Sequence, residues 1–64
     1  MTFTELANDL GLTVNYNSGY YVTFDDYREA EAFAALAHDY NVKIYADFIR
    51  DSKTNKYFIY ERRY

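Results

Sequence analysis

Apolar residues recur along this chain with two different periods, and each change of period marks a new element. Phe3, Leu6, Ala7 and Leu10 fall at i, i+3, i+4 and i+7, the spacing that lines one side of an α-helix. Thr2 and Glu5 stand three residues apart at its start, the pattern of a capping box. Gly11 then stops the helix, because glycine accepts a left-handed conformation without a Cβ clash. A helix this short must pack on something to persist.

From Leu12 the period becomes two. Leu12, Val14 and Tyr16 alternate with Thr13 and Asn15, and Tyr20, Val22 and Phe24 alternate with Tyr21 and Thr23. Asn17-Ser18-Gly19 separates the runs and predicts a three-residue hairpin loop with Gly19 in its left-handed position. That loop sets Tyr16 opposite Tyr20, Val14 opposite Val22 and Leu12 opposite Phe24, all six on one face. Tyr21 points to the other face, with Thr13, Asn15 and Thr23.

Asp26 and Glu29 read as a second capping box, opening a main helix that runs to about Tyr40. Its stripe holds Ala30, Phe33, Ala34, Ala37 and Tyr40, with Leu36 at the margin. Asn41 ends it. Val42–Ile49 and Tyr57–Arg62 then read as two strands joined by a polar loop. A four-residue turn over Ser52–Asn55 puts Asp51 opposite Lys56 and Phe48 opposite Ile59. One face of this hairpin would hold Val42, Ile44, Ala46, Phe48, Tyr57 and Ile59. The other would hold Lys43, Tyr45, Asp47, Ile49, Phe58, Tyr60, Arg62 and Tyr64. Both faces are substantially apolar, which a sheet with one solvated face should not be.

The order is α-β-β-α-β-β. It predicts a small α+β domain, residues 1–64, with a four-stranded antiparallel sheet and the main helix packed on the face of Val14, Tyr16, Tyr20, Val22 and Phe24. The two α-β-β halves do not align convincingly as a repeat.

Composition narrows the function. With 64 residues, no cysteine and no proline, stability must come from one small core or from a second subunit. No apolar run approaches a membrane span, and the N-terminus lacks the charge and apolar stretch of a secretory signal, so a cytoplasmic location is expected. The net charge of −3 divides unevenly. Residues 1–41 carry seven acids and one base, whereas residues 42–64 carry three acids and six bases.

Catalytic chemistry is poorly supplied. There is one histidine, His38, and the two serines, Ser18 and Ser52, fall in predicted turns. A serine nucleophile needs a base held at hydrogen-bond distance. Glu31 and His38 are two helical turns apart, too far to share a metal ion directly. No glycine-rich phosphate loop is present. We therefore expect no enzyme, no cofactor and no metal.

Two candidate surfaces remain. The first is the aromatic outer face of the sheet: Tyr21, Tyr45, Ile49, Phe58 and Tyr60, flanked by Lys43 and Arg62. The second is the acidic side of the main helix with its approach: Asp25, Asp26, Glu29, Glu31 and Asp39. A bland account exists for each, since the first helix can cross the aromatic face and bury it, and an acidic helix face is commonly just solvated. The leading expectation is a small protein-binding regulator or inhibitor that occupies a partner's surface. In size, acidity and lack of catalytic groups it is similar in character to phage and mobile-element accessory proteins, including inhibitors of host defence nucleases; this is a similarity of type, not of motif. The second expectation is a single-stranded nucleic-acid binder using the aromatic and basic sheet face, disfavoured by the net acidity. The third is an obligate homodimer with a structural role.

Overall fold

A computed structural model describes residues 1–45 and 49–62. Helix α1 is Phe3–Asp9, strands β1 and β2 are Asn15–Tyr16 and Tyr20–Phe24, helix α2 is Tyr27–Asp39, and β3 and β4 are Ile49–Asp51 and Lys56–Tyr60. The expected α+β order and four-stranded antiparallel sheet are present, with the strands in the order β1-β2-β4-β3. No described helix is long and apolar enough to cross a membrane.

The helices start and stop for the reasons their sequences suggest. The Thr2 backbone N–H donates to Glu5 Oε1 at 2.8 Å, and the Glu5 N–H donates to Thr2 Oγ1 at 3.1 Å, closing the capping box. The N–H bond from Thr2, then its hydroxyl, hold the Glu5 carboxyl below its ordinary value of 4.5. At α2, the Asp26 carboxylate accepts from the Arg28 N–H at 2.9 Å. Asp26 is thus an N-cap reaching the second helical N–H.

Both helices end in the same way. The Leu12 N–H donates to the Ala7 carbonyl and the Gly11 N–H to Asn8, while Val42 and Asn41 repeat these bonds to Ala37 and His38. Gly11 and Asn41 are left-handed, with φ of +73° and +58°. These are two Schellman motifs, each folding an apolar residue, Leu12 or Val42, back over an alanine.

With those ends superposed in role, residues 3–14 and 33–44 align at a constant offset. Phe3/Phe33, Leu6/Leu36, Ala7/Ala37 and Asp9/Asp39 are identical pairs. Exchanging the two α-β-β halves also turns the strand order β1-β2-β4-β3 into its own reverse. The halves therefore share their element order, their helix stops and equivalent places in the sheet.

The core forms between the helices and one face of the sheet. Phe3, Leu6 and Ala7 from α1, Val22 and Phe24 from β2, Ala30, Phe33 and Ala37 from α2, Val42, and Ile59 from β4 are buried together. Leu12, Val14, Leu36, Ile44 and Tyr57 pack around them. Phe33 is its centre, meeting Phe3 edge-on at 5.8 Å and Phe24 at 5.5 Å.

Several expectations change here. Tyr16 and Tyr20 are paired as predicted, but they are 62% and 42% exposed. At the end of an edge hairpin, inward parity does not supply a neighbour, so the rings pack edge-on against each other at 5.0 Å. That leaves the phenol hydroxyls able to reach water, where a buried one would need a partner. Tyr40 likewise leaves its stripe, because it is the C-cap of α2 and lies past the last helical turn. In the first loop Ser18 takes the left-handed helical position with φ of +59°, and Gly19 follows with a positive φ of +157°, an angle that residues with a side chain rarely adopt.

The second hairpin keeps its predicted turn. Asp51 pairs with Lys56, Arg50 with Tyr57 and Ile49 with Phe58. The Asp51 carboxylate accepts from the Lys53 N–H and the Thr54 hydroxyl, while Arg50 reaches the Asn55 side-chain oxygen. Asn55 takes the left-handed position with φ of +61°. Further along, Ile44 bridges Glu61, two residues out of step with the pairing near the turn. An even offset preserves the faces, so Val42 and Ile44 still join Tyr57 and Ile59 inside. The places expected for Ala46, Asp47, Phe48 and Tyr64 lie outside the described residues.

Two predictions test this account. Phe33→Ala should remove about 3–5 kcal/mol, comparable to the whole stability of a domain this small at roughly 0.05–0.15 kcal/mol per residue. Urea denaturation should find the variant largely unfolded before denaturant is added. For the cap, Thr2→Ala removes the hydroxyl but keeps the backbone N–H bond that lowers Glu5 most, so it should move Glu5 only part of the way toward 4.5 in a side-chain NMR titration. Because the folded carboxyl titrates below its unfolded value, its stabilisation is present above the unfolded value and lost as pH falls through the folded one. The parent should therefore lose helix α1 order on acidification over a range where Glu5→Gln, which has no carboxyl there to titrate, shows no dependence on this group.

Candidate functional site

One face of the sheet receives both helices, so among the described residues no helix covers the other face. Helix α1 sits beside α2, as the Phe3–Phe33 contact shows, and does not cross behind the sheet. The account in which α1 buries the aromatic face is thereby set aside.

The pairing of β2 with β4 assembles what stands on that open face. Tyr21 lies opposite Tyr60 and Thr23 opposite Phe58. The Tyr21 and Phe58 rings are stacked, 5.1 Å apart and 14° from parallel. Tyr21 and Tyr60 are 4.9 Å apart and tilted by 33°. Tyr21 is the ring common to both contacts, and all three side chains are half-buried, largely against one another.

Gly19 belongs to this site, although the sequence marks it only as a turn residue. It is buried, and Tyr60 Cδ2 lies 3.5 Å from the position a Cβ would take. The tyrosine ring thus covers a stretch of bare backbone at the end of the sheet, as aromatic side chains do beside strand glycines.

The flanking residues fall where expected. The Tyr45 N–H donates to the Tyr60 carbonyl and the Arg62 N–H donates to the Lys43 carbonyl. This sets Lys43 and Tyr45 alongside Tyr60 and Arg62, with Tyr45 half exposed. Ile49 takes its predicted backbone place opposite Phe58. Lys56 was not singled out from the sequence, yet it shares strand parity with Phe58 and Tyr60. Its ammonium stands 3.5 Å from Asp25, a pair exposed enough to contribute little to stability.

The acidic residues are not gathered in the same way. Asp26 is committed to capping and Asp25 pairs with Lys56. Glu29, Glu31 and Asp39 are exposed. At about 100° per residue, Glu29 and Glu31 sit on opposite flanks of α2 and Asp39 faces directly away from the core. Together they surround the helix and do not form one patch. Among the described residues, no group of three or more His, Asp or Glu could hold a metal ion.

The rings should be energetically linked. A double-mutant cycle of Tyr21→Ala and Phe58→Ala, read by urea denaturation, should give a coupling of about 0.5–1.5 kcal/mol. A coupling near zero would mean that the rings do not stack in solution. No protein-family model, curated protein or solved structure matches the chain.

Proposed function

We propose that this chain is a non-enzymatic binding protein that regulates or blocks a larger protein in the cytoplasm by laying the open face of its sheet on it. The observation carrying this reading is the orientation of the rings. A platform for nucleobases must offer flat ring faces to the ligand. Here the faces of Tyr21 and Phe58 are turned toward each other. Stacking against each other leaves less of those faces for a base and orders the rings into a ridge before any partner binds. Large aromatic groups held rigid before binding lose little entropy on association, and tyrosine and arginine are the usual anchors of protein interfaces. Lys43, Lys56 and Arg62 around the ridge would favour an acidic rim on the partner. Acting by occupation alone is how a phage-type inhibitor of a defence nuclease would work.

A nucleic-acid reading retains one supporting observation. Lys43, Lys56 and Arg62 lie beside the aromatic ridge with Asp51 opposite Lys56, whereas Glu29, Glu31 and Asp39 surround α2 on the opposite layer, so the net charge of −3 understates how cationic the sheet side is. The two readings separate by experiment. The tagged protein should retain a specific host protein, and Tyr21→Ala/Tyr60→Ala should weaken that retention by roughly thirtyfold or more, as loss of a hot spot does. Glu29→Lys/Glu31→Lys should leave it intact, with circular dichroism confirming the fold of both variants. If the aromatic variant captures the partner as well as the parent does, the open face is not the site. Anisotropy with labelled single-stranded DNA and RNA provides the other arm, and binding that collapses with added salt would replace the protein reading.

A further inference from the structure

We infer that the free edge of β1 pairs with the same edge of a second copy of this chain, joining two sheets into one about a two-fold axis and leaving the aromatic ridge uncovered. The direction of the backbone groups is set by bonds already in the sheet. Across the Tyr16–Tyr20 pair, the Asn17 N–H donates to the Gly19 carbonyl. This marks a non-hydrogen-bonded pair, in which each residue turns its N–H and C=O away from its partner. The Glu61 N–H, donating to the Tyr20 carbonyl, agrees, since it shows Tyr20 facing β4. Tyr16 therefore aims its N–H and C=O off the edge of the sheet. Val14 has the same parity, and its N–H and C=O make no hydrogen bond among the described residues.

Edge strands are ordinarily guarded by charge, by proline or by a covering element. Residues 10–24 hold no charged residue and no proline, in a chain where 27% of residues are charged. Thr13, Asn15 and Tyr16 are exposed. The opposite edge strand, β3, carries Arg50 and Asp51 among its three residues. A neutral edge meets no like-charge penalty against its own copy. A two-fold dimer through the ridge would meet one, because an isologous contact sets a patch against itself. Lys43, Lys56 and Arg62 would then approach their own counterparts.

The edge is self-complementary in one register. With the two-fold axis at Asn15, Val14 lies opposite the copy's Tyr16 and Tyr16 opposite the copy's Val14. Both are hydrogen-bonded pairs, and Asn15 meets its own counterpart as the non-hydrogen-bonded pair between them. A slide of two residues one way would call on Leu12, whose N–H is committed to the Ala7 carbonyl. A slide the other way would call on Ser18, whose φ of +59° is not that of a strand. The exposed Tyr16 ring gains the copy's Val14 as a cross-strand neighbour. The axis stands perpendicular to the sheet, so both ridges face the same way. The dimer then offers two aromatic surfaces to one partner, which raises avidity without any new contact.

The test is sedimentation equilibrium of the full chain from low micromolar to near-millimolar concentration, where the parent should pass from monomer to dimer. Tyr16→Pro deletes an outward N–H and no bond within the monomer. It should raise the dissociation constant by at least about tenfold, the loss expected for two backbone hydrogen bonds. Asn15→Lys sets two ammonium groups at the axis and should also weaken the dimer. Tyr21→Ala/Tyr60→Ala should leave it unchanged, with circular dichroism confirming the fold of every variant. As an independent arm, Asn15→Cys should give a disulfide-linked dimer on mild oxidation, because a non-hydrogen-bonded pair brings its Cα atoms within disulfide range. Asn17→Cys, which would face the copy's Thr13, should not. The inference fails if the parent stays monomeric at near-millimolar concentration, if both edge variants dimerise as the parent does, or if the two cysteine variants cross-link equally. A dimer lost only in the ridge variant would place the contact on the sheet face and overturn it as well.

Discussion

The register of β2 on β4 is the constraint on which the rest of the domain depends. These strands are the inner pair of the sheet, and each belongs to a different α-β-β half. Their pairing puts Val22 opposite Ile59, both fully buried, and Tyr21 opposite Tyr60 on the reverse side. A slip of one residue would exchange the two faces. Tyrosine hydroxyls would then enter a core that has no polar partner for them, since no described polar side chain is buried. One set of hydrogen bonds thereby decides both what is core and what is offered to a partner.

The helices reinforce that choice from one side only. Phe33 contacts Phe3 and Phe24 together, so α1 and α2 share one layer and neither is available to cover the outer face. In a chain of 64 residues there is little material for a third layer. The aromatic residues that a larger protein would bury instead stack on each other across β2 and β4. The same economy explains Gly19, whose bare backbone is covered by Tyr60.

Charge follows the layers too. Acids surround α2, while Lys43, Lys56 and Arg62 lie along the sheet side, and Asp25 meets Lys56 where the two layers join.

Local signals carried much of this in the sequence. The capping box at Thr2 and Glu5, the helix stops at Gly11 and Asn41, the Tyr16–Tyr20 pairing and the turn over Ser52–Asn55 are short-range features, specified by residues a few positions apart. Parity alone separated Tyr21, Phe58 and Tyr60 from Val22 and Ile59, because side chains on a strand alternate whatever surrounds it. Depth of burial was not legible in the same way. Tyr16, Tyr20 and Tyr40 have the parity or phase of core residues and yet lie at element ends with nothing above them. The equivalent places of the two halves in the sheet, the side taken by α1 and the stacking of Tyr21 on both neighbours came only from the tertiary structure. Each depends on which distant elements are brought side by side, and no local period in the chain encodes that choice.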